Sequence, residues 1–326
     1  MSRNTVNITV IICSYNRSHL LAKTLESLVD SRVPDLVEWE IIVVDNNSQD
    51  QTRVVVESLS IRFPNRIRYA FEPRPGKSFA LNRGIQEALG EILFFTDDDV
   101  IVDPKWIANL MVNLEDRAWD GVSGRTLPER GFVPPRWLEL NDRNLATLGC
   151  FDRGQKAFEL KEAPFGNNMA YRREVFQKYG GFCTELGPQP GNLIRSEDSD
   201  FGRRVLAAGG RIRYEPSAVL FHAVPRNRIK RDYFLSWWFY KGRSEVRAFG
   251  FENRAALSFL GVPLILFRRL IAWTIRWMYS LQPTNRFLSK TNMWFVCGQI
   301  LECYAKAHSP NETGAQVAMN HATKRN

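Results

Sequence analysis

Three adjacent aspartates, Asp97, Asp98 and Asp99, close the apolar run Ile92-Leu93-Phe94-Phe95. Crowded carboxylates repel one another and take up protons unless a cation neutralises them. A divalent ion held by hard oxygen ligands, Mg2+ or Mn2+, is the economical neutraliser. A second acidic group, Glu197-Asp198-Ser199-Asp200, opens a helical segment. There the neighbouring carboxylates are expected to favour a proton on Asp198, as a general base requires. Asp45 ends another apolar run and can accept hydrogen bonds from a base or ribose. His222 follows the run Ala218–Phe221, 24 residues beyond Asp198, a separation compatible with a helix, a hairpin and a return to one site. Each of these residues also has an ordinary use, in an acidic loop, at a helix start or in a core, so the elements that carry them must decide.

The first hundred residues alternate strand and helix signals. Strands are predicted at Val6–Cys13, Glu40–Val44, Ile67–Phe71 and Ile92–Phe95. Between them come three helices. Ser18 caps the first, whose Leu21, Leu25 and Leu28 recur at helical spacing. Ser48 and Gln51 form an S-x-x-Q capping box for the second, which runs to about Ile61. The third runs from about Ser78 to Leu89 after the turn Pro73-Arg74-Pro75-Gly76. This βαβαβαβ order implies a doubly wound, mostly parallel sheet with helices on both faces. Ligands of such sheets collect at the carboxyl ends of the strands, where Asp45 and the aspartate triplet lie.

Beyond Gly121 the pattern is mixed. A short helix is expected at Arg173–Tyr179, broken by Gly180-Gly181, and another from Glu197 to the glycines at 209 and 210. A strand pair, Ile212–Tyr214 and Ala218–Phe221, leads into His222.

Composition bounds the rest. At 326 residues, 44% hydrophobic and 24% charged, the chain suits one large globular domain with an extension. The five cysteines are scattered without CxxC pairing and read as reduced. With four histidines and no His/Cys cluster, a structural zinc site is not expected. No signal peptide is visible, and a cytoplasmic location is expected. The net charge of +9 points to an anionic partner. The basic residues are not striped and form no nucleic-acid motif, so nucleic acid is not expected.

Past residue 226 the sequence turns aromatic and basic, with FLSWWFY at 234–240. The apolar stretch Leu257–Phe267 contains Pro263 and is shorter than the ~20 residues of a spanning helix. In Arg268–Leu281, the arginines Arg268, Arg269 and Arg276 fall within about a quarter of the helix circumference. Leu270, Ile271, Trp273, Ile275, Trp277 and Met278 occupy much of the remainder. That pattern suits a helix lying on an anionic membrane; the alternative is a helix packed on the main domain with its arginine edge in water. The tail from about 309 is polar and expected to be disordered.

Seven segments now stand in order: VIICSYNR (10–17), IIVVDNNSQD (41–50), GKSFALNRGI (76–85), ILFFTDDDV (92–100), FGNNMAYRRE (165–174), GGF (180–182) and SEDSDFGRR (196–204). Together they resemble the family 2 inverting glycosyltransferases of GT-A fold, over roughly residues 6–225. The resemblance implies a GT-A domain at 1–226, its nucleotide-sugar-binding half at 1–100 and its acceptor half at 101–226, with a helical extension at 227–326. It implies transfer of a sugar from a nucleoside diphosphate sugar, a UDP-sugar first, to a saccharide or lipid-linked saccharide. The matching metal motif falls on Asp97 and Asp99, with His222 completing the shell around Mn2+ or Mg2+. Asp198 matches the general base. Cys13, Tyr15, Asn16, Asp45, Lys77, Asn82, Asp97 and Asp98 fall on the nucleotide side, with Tyr15 against the base and Lys77, Asn82 or Arg83 near the diphosphate. Asn167, Asn168 and Glu197 fall on the acceptor side.

Two other readings use the same residues. A nucleotidyltransferase would share the sheet and metal, but its usual Gly-rich, Arg-containing loop is replaced here by CSYNRSHLL. A catalytically silent protein binding a sugar nucleotide or a membrane would have no need to keep Asp97, Asp99, Asp198 and His222 together. A dinucleotide oxidoreductase is disfavoured because no GxGxxG follows a strand.

Overall fold

In the computed structural model, residues 7–115, 117–251 and 257–308 are described. The chain divides into two compact units, Met1–Tyr233 and Phe234–Asn326.

In the first unit β1 (Ile8–Ser14), α1 (Ser18–Val29), β2 (Trp39–Asp45), α2 (Thr52–Arg62), β3 (Ile67–Phe71), α3 (Lys77–Glu87) and β4 (Ile92–Asp97) follow in the expected alternation. The sheet order β3-β2-β1-β4 is parallel throughout. Strands buried on both sides are mostly apolar, which is why ITVIIC and IIVV read as near-continuous runs, and the polar exceptions Thr9 and Glu40 bond to each other. Successive side chains serve opposite faces. Val10 and Ile12 join Leu21, Leu25 and Leu28 of α1 on one face, whereas Ile11 joins Ala80 and Leu81 of α3 on the other. Register then decides the site: Cys13 lies beside Asp97 across one strand pair, and Ser14 beside Asp45 across the other.

The chain continues through β5 (Val100–Val102), α4 (Trp106–Glu115), β6 (Gly121–Pro128), α5 (Asp142–Thr147), β7 (Phe158–Leu160), β8 (Asn168–Arg172), α6 (Arg173–Tyr179), α7 (Glu197–Ala207) and β9 (Ile212–His222). Among the described residues nine strands form one sheet, with β8, β6, β9 and β5 following β4 and β7 pairing with β9. β8 is antiparallel to both β4 and β6, so the sheet is mixed beyond its parallel half.

Several local expectations are corrected. The strand pair at 212–221 is one eleven-residue strand, β9, whose pairing with β6 shifts register at Gly124/Arg125. A bulge takes up residues 216–218, at the break between the two expected strands. The Ser48/Gln51 box does not form: α2 starts at Thr52, and the Asp50 carboxylate accepts the Thr52 N–H instead. Its other oxygen accepts the Ser18 N–H, so Asp50, not Ser18, caps α1 from across the loop.

In the second unit α8 (Arg231–Phe249), which begins at its border, is followed by a hairpin of β10 (Ser258–Phe259) and β11 (Val262–Pro263), then α9 (Leu264–Tyr279) and α10 (Pro283–His308). Pro263 stands just before the first turn of α9, where a missing N–H costs nothing. α8 and α10 cross closely because Gly298 lies against the Phe239 carbonyl, 2.0 Å from where a Cβ would sit. The buried Glu302 joins Arg243 and Arg247 across the same pair. Among the described residues no helix is long and apolar enough to cross a membrane. The tail from 309 lies outside the described residues.

Candidate active site

The parallel strands deliver their last residues to one edge, and the loops there are tied to each other. Asp45 is buried and accepts from the Ser48 N–H and the Tyr69 hydroxyl, both at 2.8 Å. Asn16, with φ 54, accepts the Gln49 N–H and donates its own N–H to Ser48. These bonds join the β1–α1 and β2–α2 loops and leave the Tyr15 ring half exposed above them.

The three aspartates have three different surroundings. Asp97 holds the Lys77 ammonium at 2.6 Å. Asp98 is buried and bonded by the Ser14 hydroxyl at 2.7 Å and Arg17 at 3.1 Å. Burial pushes its carboxyl up to about 6, the Arg17 charge opposing and Asp99 adding to the rise. Asp99 is ringed by Arg17 at 3.1 Å, Arg228 at 3.2 Å and His222 Nε2 at 3.2 Å. Burial alone would raise Asp99, but the His222, Arg228 and Arg17 charges outweigh it and hold the carboxyl far below the usual range.

One atom in this ring cannot satisfy both neighbours. Arg228 Nη1 also approaches His222 Nε2 to 3.2 Å, and a guanidinium can only donate. With Nε2 protonated, His222 suits Asp99 and repels Arg228. With Nε2 bare, it suits Arg228 and faces Asp99 Oδ1 as a second lone pair. Asp99 Oδ1 and His222 Nδ1 are among the buried polar atoms without a hydrogen-bond partner among the described residues. A divalent cation held by Asp97, Asp99 and His222 would take up the lone pairs of Asp99 Oδ1 and His222 Nε2 together. Ligand atoms of Asp97, Asp99 and His222 all lie within 4.8 Å of one another, and two carboxylates with one imidazole suit Mn2+ or Mg2+. Gly149 makes room for the ring, since a Cβ there would come within 2.8 Å of His222 Cε1.

α7 brings the second acidic group to the same place. Asp198 sits in its first turn, with one oxygen accepting the Gly166 N–H at 2.8 Å and the other the Ser199 N–H at 2.7 Å. Glu197 beside it is buried, and burial together with Asp198 pushes its carboxyl up to about 7 against the pull of Lys77. Lys77 bridges the two acidic groups, 2.6 Å from Asp97 and 3.8 Å from Glu197. Burial would lower its ammonium, but Asp97 and Glu197 hold it above its ordinary value. The thiol of Cys13 faces the same charges, and its burial pushes it up, away from thiolate.

Three of the expected site residues turn inward instead. Asn82 donates to the Phe182 carbonyl and accepts the Phe182 N–H, pinning the GGF loop to α3 rather than reaching for a diphosphate. Asn167 spans Thr126 and the Gly149 carbonyl. Asn168 accepts from the Trp106 indole and donates to the Arg125 and Ala218 carbonyls, closing the bulge between β6 and β9. Both asparagines are buried with their amides committed, so neither is offered to an acceptor. Arg83 pairs with Glu87 along the surface of α3. Conversely, Ser14, Arg17 and Arg228 were not singled out. Arg17 stood inside the SYNR segment, whereas nothing in the spacing of VPRNRIKR distinguishes Arg228 from Arg226 or Arg231.

Residues 9–180 match the model of glycosyl transferase family 2. The chain belongs to that family. A similar relative is the succinoglycan biosynthesis protein ExoM of Rhizobium meliloti, 30% identical over 76% of each chain. Another is the glucosyl-dolichyl phosphate glucuronosyltransferase of Haloferax volcanii, 24% identical over 74% of this chain and 76% of that one. Among solved structures, a mannosyltransferase of Pyrobaculum calidifontis, in complex with GDP-Man and Mn2+, covers 98% of this chain and 81% of its own at a TM-score of 0.57. At 22% identity that likeness shows the GT-A fold and no more. The family match ends before Asp198 and His222, so for this glycosyltransferase those two residues stand on geometry.

Proposed function

We propose that the chain transfers a sugar, with inversion, from a nucleoside diphosphate sugar to a hydroxyl of a saccharide or lipid-linked saccharide, with a UDP-sugar as donor. The observation that carries this reading is the convergence of Asp97, Asp99 and His222 within 4.8 Å, joined through Lys77 to the acidic start of α7. Asp45 and Tyr15 are assigned to the nucleoside, at the strand edge where such ligands bind. Asp97, Asp99 and His222 are assigned to Mn2+ or Mg2+, which when bound supplies positive charge for the departing diphosphate.

Asp198 is assigned the proton. Its two N–H contacts fix the carboxylate in place, and a positioned base of this kind contributes about 10²–10⁴ in rate. The acceptor hydroxyl gives its proton to Asp198 as its oxygen bonds to the anomeric carbon. The bond from that carbon to the diphosphate breaks in the same displacement, and the nucleoside diphosphate leaves. A single displacement inverts the centre and needs no covalent enzyme intermediate. Lys77 keeps Asp97 and Glu197 from repelling the incoming donor. The names of the relatives support the acceptor class, one specifying succinoglycan and the other a dolichyl phosphate. A site on the cytoplasmic face of a membrane would let a soluble donor and a lipid-anchored acceptor meet.

The test is nucleoside diphosphate release from a panel of UDP-, GDP- and dTDP-sugars, with Mn2+ or with a chelator. Release from one donor that needs the metal supports the reading. Binding without turnover of any donor would favour the silent alternative.

A further inference from the structure

We propose that the outer face of α9 and the groove beside it are a docking surface for an anionic lipid bilayer. This gives the membrane reading above a defined contact, and it rests on that reading but not on the chemistry of the first unit.

The helix carries two kinds of apolar residue. At ~100° per residue, Leu266, Leu270, Trp273 and Trp277 fall on one side, and Leu266, Leu270 and Trp273 belong to the core of the unit. Trp273, expected at a lipid surface, therefore packs on protein, and the Trp277 ring lies against the Arg286 guanidinium. Leu264, Ile271, Ile275 and Met278 fall together on the opposite side, within roughly 60° of arc. Ile271 is 60% exposed, Ile275 50% and Met278 59%. Arg268, Arg269 and Arg276 occupy the adjoining ~100°, all exposed. An exposed aliphatic strip edged by arginines is the pattern of a helix lying in a headgroup layer.

A separate apolar groove opens at Phe267, which adjoins the strip at ~100° per residue. Phe267 and Leu270 of α9, Ile300 and Leu301 of α10, and Phe259 and Leu260 of the hairpin wall a groove of about 430 Å³. Phe259 and Leu260 are 61% and 56% exposed. Sites for polar small molecules place a few convergent polar groups among apolar ones. This groove offers only the Tyr304 ring edge, with aliphatic, aromatic and thiol side chains elsewhere, so hydrocarbon is what it can hold.

Charge selects the kind of bilayer. From 257 to 301 the chain has five basic residues, Arg268, Arg269, Arg276, Arg286 and Lys290, and no Asp or Glu, a net of +5. The next acid, Glu302, is buried between Arg243 and Arg247 and does not offset them. Juxtamembrane Lys and Arg each contribute about 1 kcal/mol on anionic lipid. Losing three of them should therefore weaken binding about a hundredfold.

Flotation of the full chain with phosphatidylcholine vesicles, with and without phosphatidylglycerol, is the test. The wild type should float with the anionic vesicles, and less so as salt rises. The variant carrying Ile271→Glu and Ile275→Glu should stay at the bottom, and that carrying R268Q, R269Q and R276Q should lose about two orders of magnitude in affinity. These positions are exposed, so unchanged thermal unfolding checks that both variants fold. Equal binding of wild type and both variants, or no binding by the wild type, overturns the proposal. So does dimerisation that Ile271→Glu abolishes without any lipid binding, since a second copy would then be the occupant. Release of nucleoside diphosphate by the vesicle-defective variants separates failure of this surface from failure of the proposed chemistry.

Discussion

Arg228 stands where its charge can be exchanged for that of an ion, and its replacement by glutamine measures that exchange. Its guanidinium lies 3.2 Å from Asp99 Oδ2 and 3.2 Å from His222 Nε2. At an effective permittivity of about 20, two unit charges at that distance attract by about 5 kcal/mol. Removing one partner of a buried pair costs roughly 3–5 kcal/mol. Arg17 remains 3.1 Å from the same carboxylate oxygen, which argues for the low end, about 3 kcal/mol. Without metal, Arg228→Gln should therefore unfold several degrees earlier than the wild type. A divalent ion replaces the lost charge, so part of the cost returns on binding. If half returns, about 1.5 kcal/mol, Mn2+ binds the variant roughly tenfold more tightly than the wild type. Titration of Mn2+ by electron paramagnetic resonance, with no nucleotide present, reads the affinity directly. The thermal midpoint should rise more with Mn2+ in the variant, as linkage requires. Weaker Mn2+ binding by Arg228→Gln would mean that Arg228 supports the ion rather than competes with it.

Other outcomes follow from the same geometry. Asp198→Asn should abolish sugar transfer while donor affinity, read by calorimetry, stays within a few-fold; near-normal turnover removes Asp198 from the mechanism. Glu197 has a folded proton affinity raised from the ordinary 4.5 to about 7. Its contribution to stability is therefore full below the unfolded value and is lost as pH rises through that window. Glu197→Gln, always neutral, should gain on the wild type in thermal midpoint between about pH 5 and pH 7.5, and parallel curves would contradict this. Asn168→Ala should cost about 3 kcal/mol in denaturant unfolding, because it strands the Trp106 indole and two buried carbonyls. A loss below about 0.5 kcal/mol would mean that the bulge closes without it.

The parallel half of the sheet was legible because its strands are covered on both faces, and β-branched runs such as ITVII and IIVV carry that burial in their composition. The aspartate triplet and Asp45 could be located for the same reason, since register alone brings strand ends together. The antiparallel half was less so. β8 has only five residues, β6 is broken in register at Gly124/Arg125, and β9 crosses Pro216 through a bulge that only its pairing with β6 explains. Side-chain direction was the other blind spot. Asn82, Asn167 and Asn168 sit in the segments that resemble the family, yet their amides close tertiary hydrogen bonds that no local pattern announces. Arg228 shows the converse, reaching Asp99 across 129 residues of chain. On α9 the 3.6-residue period separated arginines from apolar residues, but only packing separated Trp273, which lies against the core, from Ile271 and Ile275, which are left exposed.

The central claim is that Asp97, Asp99 and His222 grip one divalent ion. Anomalous scattering from crystals grown with Mn2+ and a nucleoside diphosphate tests it most directly. A single strong peak is expected about 2.0–2.4 Å from oxygens of Asp97 and Asp99 and a nitrogen of His222, with the Arg228 guanidinium moved off Asp99. A peak bound elsewhere, or Arg228 still seated on Asp99 and His222 with nucleotide present and no manganese beside them, would contradict it.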